Sequence, residues 1–224
     1  MRIIETFLLV LAALFSVINP PGTALVFLSL TKYASVATRR SLARRVALNA
    51  FCVMTGSLLV GALVLKVYGI SVPVLRVAGG LIVAAAGWRL LNESTHAAGD
   101  TPPTEAKRID YASQAFYPLT LPLTTGPGTI AVIISLGLSR SAYSDYAEDL
   151  QFLAASLVAT AVMAAAIYVC FANSDRIERL LGHSGTDIAV RLSAFILFCL
   201  GIQIIWAGAS DLLGSIQWHG IPAK

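Results

Sequence analysis

Charge is what this sequence has least of. Asp, Glu, Lys and Arg together make up 12% of its 224 residues, about half the roughly 25% of an ordinary soluble domain. Hydrophobic residues supply 57%, and the mean hydropathy is +0.77. Folded in water, such a chain would leave large apolar patches bare. Cysteine is also scarce: Cys52, Cys170 and Cys199 all lie inside apolar runs. An odd number with no CxxC spacing argues against a disulfide framework and against a thiol metal or redox pair. His96, His183 and His219 fall in polar connections, without Cys or carboxylate neighbours at ligand spacing. There is no Ser/His/Asp arrangement, no Walker loop and no zinc pattern. These absences leave metal binding, membrane hydrolysis and ATP-driven transport without support, imply no cofactor, and point to a membrane protein that is not an enzyme. The pI near 9.1 does not indicate nucleic acid, because the basic residues are spread over connections between apolar runs, as the positive-inside rule describes.

What is present is apolar sequence in lengths that suit a bilayer. About 20 apolar residues span the hydrocarbon, and six stretches qualify: 7–30, 46–67, 72–91, 115–138, 150–172 and 188–210. The opening "MRIIETFLLVLAALFSVI" resembles a signal peptide, but Glu5 sits in its charged region and no small-x-small site follows, so it is read as retained. Segment 92–114, "NESTHAAGDTPPTEAKRIDYASQ", is the one connection long and polar enough to act as a flexible linker.

That linker separates two groups of three spans that resemble each other. Placing Pro21-Gly22-Thr23 over Pro127-Gly128-Thr129 aligns "PGTALVFLSL" with "PGTIAVIISL", including Ser29 over Ser135. Further on, "LRVAGGLIVAAAG" aligns with "VRLSAFILFCLG" after a one-residue slip, with Arg76 over Arg191. Three is an odd number of crossings, so the second copy runs in the opposite sense, a common plan for secondary transporters. Alternate connections 31–45, 89–114 and 174–191 hold eleven of the 16 basic residues, which places both termini on the periplasmic side. The expected fold is therefore an all-α polytopic membrane protein with six transmembrane helices in two inverted three-helix repeats. Residues 1–91 form the first repeat, 92–114 a cytoplasmic linker and 115–224 the second repeat, within one structural domain.

The first and fourth spans carry the poorest helix formers in the chain, "INPPGTALVFLSLT" and "FYPLTLPLTTGPGT". Proline has no N–H, and its ring collides with the carbonyl one turn back. Pro20 and Pro21 therefore leave the carbonyls of Ser16 and Val17 without helical donors; Pro127 does the same to Leu123, and Pro122 to Pro118. Each span is expected to split into two half-helices joined by an unwound stretch. Irregular backbone at membrane depth survives only inside protein or around a wet cavity. Phe7 to Ile18 measures about 18 Å of helix at 1.5 Å per residue, which brings both breaks near the centre of the bilayer. Half-helices starting at Gly22-Thr23 and Gly128-Thr129 offer N–H donors suited to a carboxylate. The freed carbonyls of Ser16, Val17 and Leu123 suit an ammonium group or a cation. Asn19, Thr23, Thr124, Thr125 and Thr129 add neutral hydrogen-bonding groups, while Pro20 and Gly126 shape the backbone. With no charged residue in either break, the ligand that fits is small and neutral overall, with both charges on one carbon: a neutral amino acid.

The segments "INPPGTALVFLSLT", "FYPLTLPLTTGPGTIAVII" and "LRVAGGLIVAAAGWRLL" resemble the MarC family of bacterial inner-membrane proteins, over Thr6 to about Gly208. The resemblance implies a six-span fold with discontinuous first and fourth helices, a place in the inner membrane, and a family that includes neutral amino-acid transporters. It also implies substrate contacts around Asn19 to Thr23 and Thr125 to Thr129. The alternative is a non-transporting membrane sensor or assembly protein, with the breaks filled by neighbouring helices.

No Asp, Glu or His lies within any of the six stretches, so a coupling ion is not specified. The freed carbonyls suit Na⁺, and loop-edge acids such as Asp110 and Asp187 leave H⁺ coupling open. Arg76 and Arg191, near span starts, are expected to reach headgroups, and Arg89 and Asp211 to anchor span ends. Trp88, Trp206 and Trp218 are expected at the interfaces. Gly79, Gly80, Ala84 and Gly87, with Ala161 and Ala165, are expected to form close-packing faces against which the broken helices rest.

Overall fold

The computed structural model describes residues 3–31, 33–92, 115–138 and 146–215. The expected linker beyond Asn92, and with it Asp110, lies outside them, as does Trp218. Every element among the described residues is helical. In chain order they are α1 (Ile3–Ile18), α2 (Pro20–Leu30), α3 (Val36–Tyr68), α4 (Val72–Asn92), α5 (Ala115–Thr124), α6 (Pro127–Leu138), α7 (Tyr146–Ala172) and α8 (Ser174–Ser215). Five stretches are long and apolar enough to cross a membrane: Ile3–Leu28, Val36–Tyr68, Val72–Arg89, Tyr146–Ala172 and Ile188–Gly214. The expected fourth span, 115–138, is divided between α5 and the short apolar α6. The chain is an all-helical, polytopic membrane protein.

Local chemistry sets the boundaries. Ser35 caps α3, its hydroxyl accepting from the Thr38 N–H at 3.1 Å, which satisfies one of the orphan donors of the first turn. At the other end Gly69 takes φ 65, and Ile70 N–H reaches back to the Leu65 carbonyl at 2.9 Å, a glycine-terminated helix end. The polar segments expected as connections prove partly helical. α3 begins at Val36, ten residues before its apolar run, and α8 begins at Ser174. The interruption expected across 173–187 shrinks to Asn173 and to Gly182, whose φ of 68 and ψ of 173 break α8.

The core lies where α1, α2, α3, α5, α6 and α7 converge. Leu14, Phe27, Val46, Met54, Leu119, Ile133, Met163 and Phe171 are fully buried there, and Phe27 stacks on Phe171 with ring centroids 4.6 Å apart. Outward-facing Leu8, Leu63, Val67, Leu81 and Trp206 are exposed, as lipid-facing side chains should be. Nearly every extensive contact joins an element of the first half to one of the second. α1 packs on α7, α2 on α8 and α7, α3 on α7, α6 and α5, and α4 on α8 and α6.

The closest of these contacts is an antiparallel seam between α4 and α8. A Cβ on Gly80 would lie 2.8 Å from the Gly201 carbonyl oxygen, one on Gly87 2.5 Å from the Phe198 nitrogen, and one on Gly208 2.6 Å from the Pro73 carbonyl oxygen. One on Gly201 would strike the backbone of Ala84. Lipid supplies no hydrophobic drive between helices, so such backbone approach is what joins them. Gly79 points elsewhere: its absent Cβ would meet the Pro127 carbonyl oxygen and Ala131 of α6. The glycines expected on one face of α4 therefore serve two neighbours. Ala161 and Ala165 do not form the packing face of α7. They are exposed, and Ala155, Ser156, Ala159, Met163 and Ile167 take that place.

Ion pairs at Arg39 and at Arg76 tie distant helices together. Arg39, 7% exposed, pairs with Asp175 and donates to the carbonyls of Thr31 (3.0 Å) and Ala34 (3.3 Å), closing the C-terminal end of α2. Arg76 does not reach for headgroups as expected. Its Nε donates to Ser135 Oγ at 2.6 Å, and its Nη1 pairs with Asp211 at 2.5 Å. Arg191 is exposed.

Two stability contrasts follow, each read by thermal or denaturant unfolding in detergent. Asp175→Ala leaves a buried guanidinium unpaired and should cost about 3 kcal/mol, whereas Asp211→Ala, at a half-exposed pair, should cost under about 1 kcal/mol. Gly201→Leu should destabilise by about 3 kcal/mol through overpacking, while Gly56→Leu, where a Cβ meets nothing within 4 Å, should be close to neutral.

Candidate functional site

The first break is narrower than expected. Only Asn19 leaves helical geometry, at φ 45 and ψ 65 in the left-handed region, where Asn is among the few side chains tolerated. The hydrogen-bond ladder resumes at once. Asn19 N–H donates to the Phe15 carbonyl and Thr23 N–H to the Asn19 carbonyl, both at 2.9 Å. There is no unwound stretch here, because these two donors still find acceptors one turn back. Pro20 and Pro21 contribute no N–H, so Gly22 supplies the only uncommitted backbone donor at the start of α2.

The second break is wider. Tyr117 (φ −124, ψ 125) and Leu121 (φ −112, ψ 123) are extended within α5. The surrounding bonds widen to five residues: Thr125 N–H donates to the Thr120 carbonyl at 2.8 Å. Thr120 and Thr124 hydroxyls donate to the carbonyls of Ala115 and Leu119, each at 2.7 Å. Side-chain hydroxyls thus replace donors that the regular ladder would have supplied. α6 restarts at Pro127, and its first intrahelical bond runs from Ile130 N–H to the Gly126 carbonyl at 3.1 Å. Gly128 and Thr129 consequently hold two N–H groups ahead of that bond.

The structure brings the broken spans together, α1 against α6 and α2 against α5. Pro20, Gly22, Thr23, Thr124, Thr125, Gly126, Gly128 and Thr129 are buried, and Asn19 and Leu123 are partly buried. Ser16 is different: its side chain is exposed, and its hydroxyl donates to the Ala12 carbonyl at 2.9 Å, so only its carbonyl remains a candidate. Thr23 donates to the carbonyls of Asn19 (3.1 Å) and Pro20 (3.3 Å), leaving its oxygen lone pairs for accepting alone. Thr125 stands out. It is 0% exposed, and its Oγ1 has no hydrogen-bond partner among the described residues, a condition that costs about 1–3 kcal/mol.

Each break is closed over by one helix from the other half. A Cβ on Gly22 would fall 2.5 Å from Ser193 Oγ of α8 and 2.5 Å from Asn19 Nδ2; one on Gly128 would strike Val83 of α4. Ser193 and Val83 escaped the sequence reading. The available sign was that Ser193 is the first polar residue after Arg191 in "VRLSAFILFCLG" and lies over Ala78 in the repeat alignment. Among the described residues no group of three His, Cys, Asp or Glu comes together in a metal-binding arrangement. A cavity of about 240 Å³ lies between α3, α7 and the C-terminal half of α6, lined by Leu58, Leu59, Ala62, Ile134, Gly137, Phe152 and Leu153, none of them a residue of either break.

Comparison with known proteins agrees with an integral membrane protein. The model of the MarC family of integral membrane proteins matches residues 4–213. The inner membrane protein MarC of Salmonella typhimurium is 33% identical over 210 residues, covering 91% of this chain and 93% of the relative. Its counterpart in Escherichia coli O6:H1 is 35% identical over 208 residues, with the same coverage. No solved structure matches the chain. With a family match along nearly its whole length and relatives that place it in the inner membrane, the chain belongs to the MarC family of integral membrane proteins.

Proposed function

We propose that the protein is a secondary transporter of small neutral amino acids, built as two inverted three-helix repeats that rock against each other at the paired breaks. The observation that carries this reading is the contact between two spans that each carry an uncharged helix break, with the buried Thr125 hydroxyl at the second break left without a partner among the described residues. A zwitterion complements such a place. Gly128 and Thr129 offer N–H groups at the positive end of α6, the first break offers free carbonyls, and no fixed charge disturbs a ligand with zero net charge. The contact pattern supports the repeat. Exchanging α1–α4 for α5–α8 converts the α1–α7 contact into α5–α3, α2–α8 into α6–α4, and α1–α6 into α5–α2, all of which occur. A coupling ion, H⁺ or Na⁺, would supply the driving gradient.

A second reading, a non-transporting sensor or assembly protein, draws on the cavity of about 240 Å³, whose lining includes no residue of either break. The two readings separate in proteoliposomes. The transporter reading expects gradient-dependent flux of labelled glycine or alanine, and at least a tenfold loss in Gly128→Leu, whose side chain would occupy the space held by Val83. An absence of flux under Na⁺ and proton gradients alike, or a Gly128→Leu variant as active as the parent, overturns it.

Thr125→Val supplies a sharper contrast. Removing an unsatisfied buried hydroxyl is neutral or stabilising by about 1 kcal/mol, so unfolding should move little or upward. Alanine binding, measured by calorimetry, should weaken about tenfold or more. Unchanged binding would make Thr125 a packing residue.

A further inference from the structure

The two breaks are not equivalent. At the first, prolines remove the N–H groups of positions 20 and 21, and Thr23 N–H is already engaged with the Asn19 carbonyl. One backbone donor, that of Gly22, remains there, and the carbonyls of Ser16 and Val17 have lost their helical donors to Pro20 and Pro21. At the second, Gly128 and Thr129 both keep theirs. The covering helices differ in the same sense. Ser193 Oγ and Asn19 Nδ2 converge on the point where Gly22 lacks a Cβ, whereas Gly128 is covered by the methyl of Val83. The Asn19 carboxamide makes no capping bond to α2, and neither it nor the Ser193 hydroxyl has a hydrogen-bond partner among the described residues. Two polar side chains from opposite halves of the chain thus meet, unpaired, over a glycine that leaves room for them.

We infer that Ser193 is a ligand-contacting residue which, together with Asn19, receives the ammonium group of the substrate, fixing its orientation with the carboxylate toward Gly128 and Thr129. An ammonium is a donor of three hydrogen bonds and accepts none. Ser193 Oγ and the Asn19 carboxamide oxygen, which a half-turn of the amide presents, supply two acceptors, and a freed carbonyl of α1 the third. A carboxylate needs donors, which are concentrated at α6. Val83, closing the second break, leaves no polar partner there for a second ammonium. The inference rests on the transporter reading, and it adds an orientation and a residue that the broken spans do not contain.

The test is a calorimetric comparison of L-alanine with N-methyl-L-alanine on the purified full-length protein and its Ser193→Ala variant. Methylation of the nitrogen removes one donor at the proposed contact. The parent should bind L-alanine and discriminate against the methylated ligand. Ser193→Ala should lose about tenfold in L-alanine affinity, and its discrimination should shrink toward unity. Thr125→Val, at the carboxylate end, should keep the parental ratio while weakening both ligands. Weaker binding of both ligands by Ser193→Ala with an unchanged ratio would mean a structural role and overturn the inference, as would parental affinity. A parent that binds no amino acid overturns the transporter reading and this inference with it. Should Ser193→Ala fail to fold, Ser193→Cys gives the answer in another way. L-alanine should protect the thiol introduced at position 193 from a methanethiosulfonate reagent, as read by peptide mass spectrometry that distinguishes it from the native Cys52, Cys170 and Cys199. Unprotected labelling overturns the inference.

Discussion

A proline in lipid creates a demand that nothing outside the protein can meet. In water, a carbonyl robbed of its helical donor takes a solvent hydrogen; in hydrocarbon the cost stays with the chain. Pro20, Pro21 and Pro127 each impose that cost, and the structure answers it in part by burying Val17, Ile18 and Pro20. The broken spans pack one face against α3, α4, α7 and α8, with the stacked Phe27 and Phe171 at the contact between α2 and α7. The threonines at the second break belong to the same answer, since Thr120 and Thr124 return hydroxyl protons to carbonyls in the irregular α5. Thr125 alone is left over.

The packing itself depends on how close backbones come. Where α4 meets α8, four glycines, Gly80, Gly87, Gly201 and Gly208, let backbone approach backbone. The same economy of volume at Gly22 and Gly128 brings a helix of the opposite half directly over each break. Small residues here do two separate jobs: at the seam they join the scaffold, and at the breaks they keep a space in which other side chains converge. Ion pairing then fixes the extremities. Arg39 closes the end of α2 with Asp175, and Arg76 holds Ser135 near the end of α6 with Asp211.

Much of this was readable in the residues, and what was not shares a common cause. The all-helical membrane class follows from composition, and the position of the breaks from Pro20, Pro21 and Pro127, because proline acts locally on its own turn. The width of the first break was not readable. Whether Asn19 and Thr23 recover their ladder bonds depends on the torsion angles of one residue, which the sequence does not display. Small residues announce close packing without naming the partner, so Ala161 and Ala165 pointed to the wrong face of α7, and Gly79 and Gly80 proved to serve different helices. Arg76 found Asp211 across 135 residues, and Ser193 found Gly22 across most of the chain. Such meetings belong to tertiary structure, where helical periodicity and residue spacing carry no information.

The crossing of contacts between halves has a bearing on how the molecule is made. α1 and α2 pack chiefly on α7 and α8, which leave the ribosome well after them. Until those arrive, the nascent N-terminal segment waits in the bilayer with its defect at Asn19 unsheathed, and the helices beside it in sequence give it little cover. Assembly is therefore a late, concerted event: a truncated N-terminal fragment lacks the surfaces that would shield it, and quality-control proteases would meet that unfinished species before they met the native one.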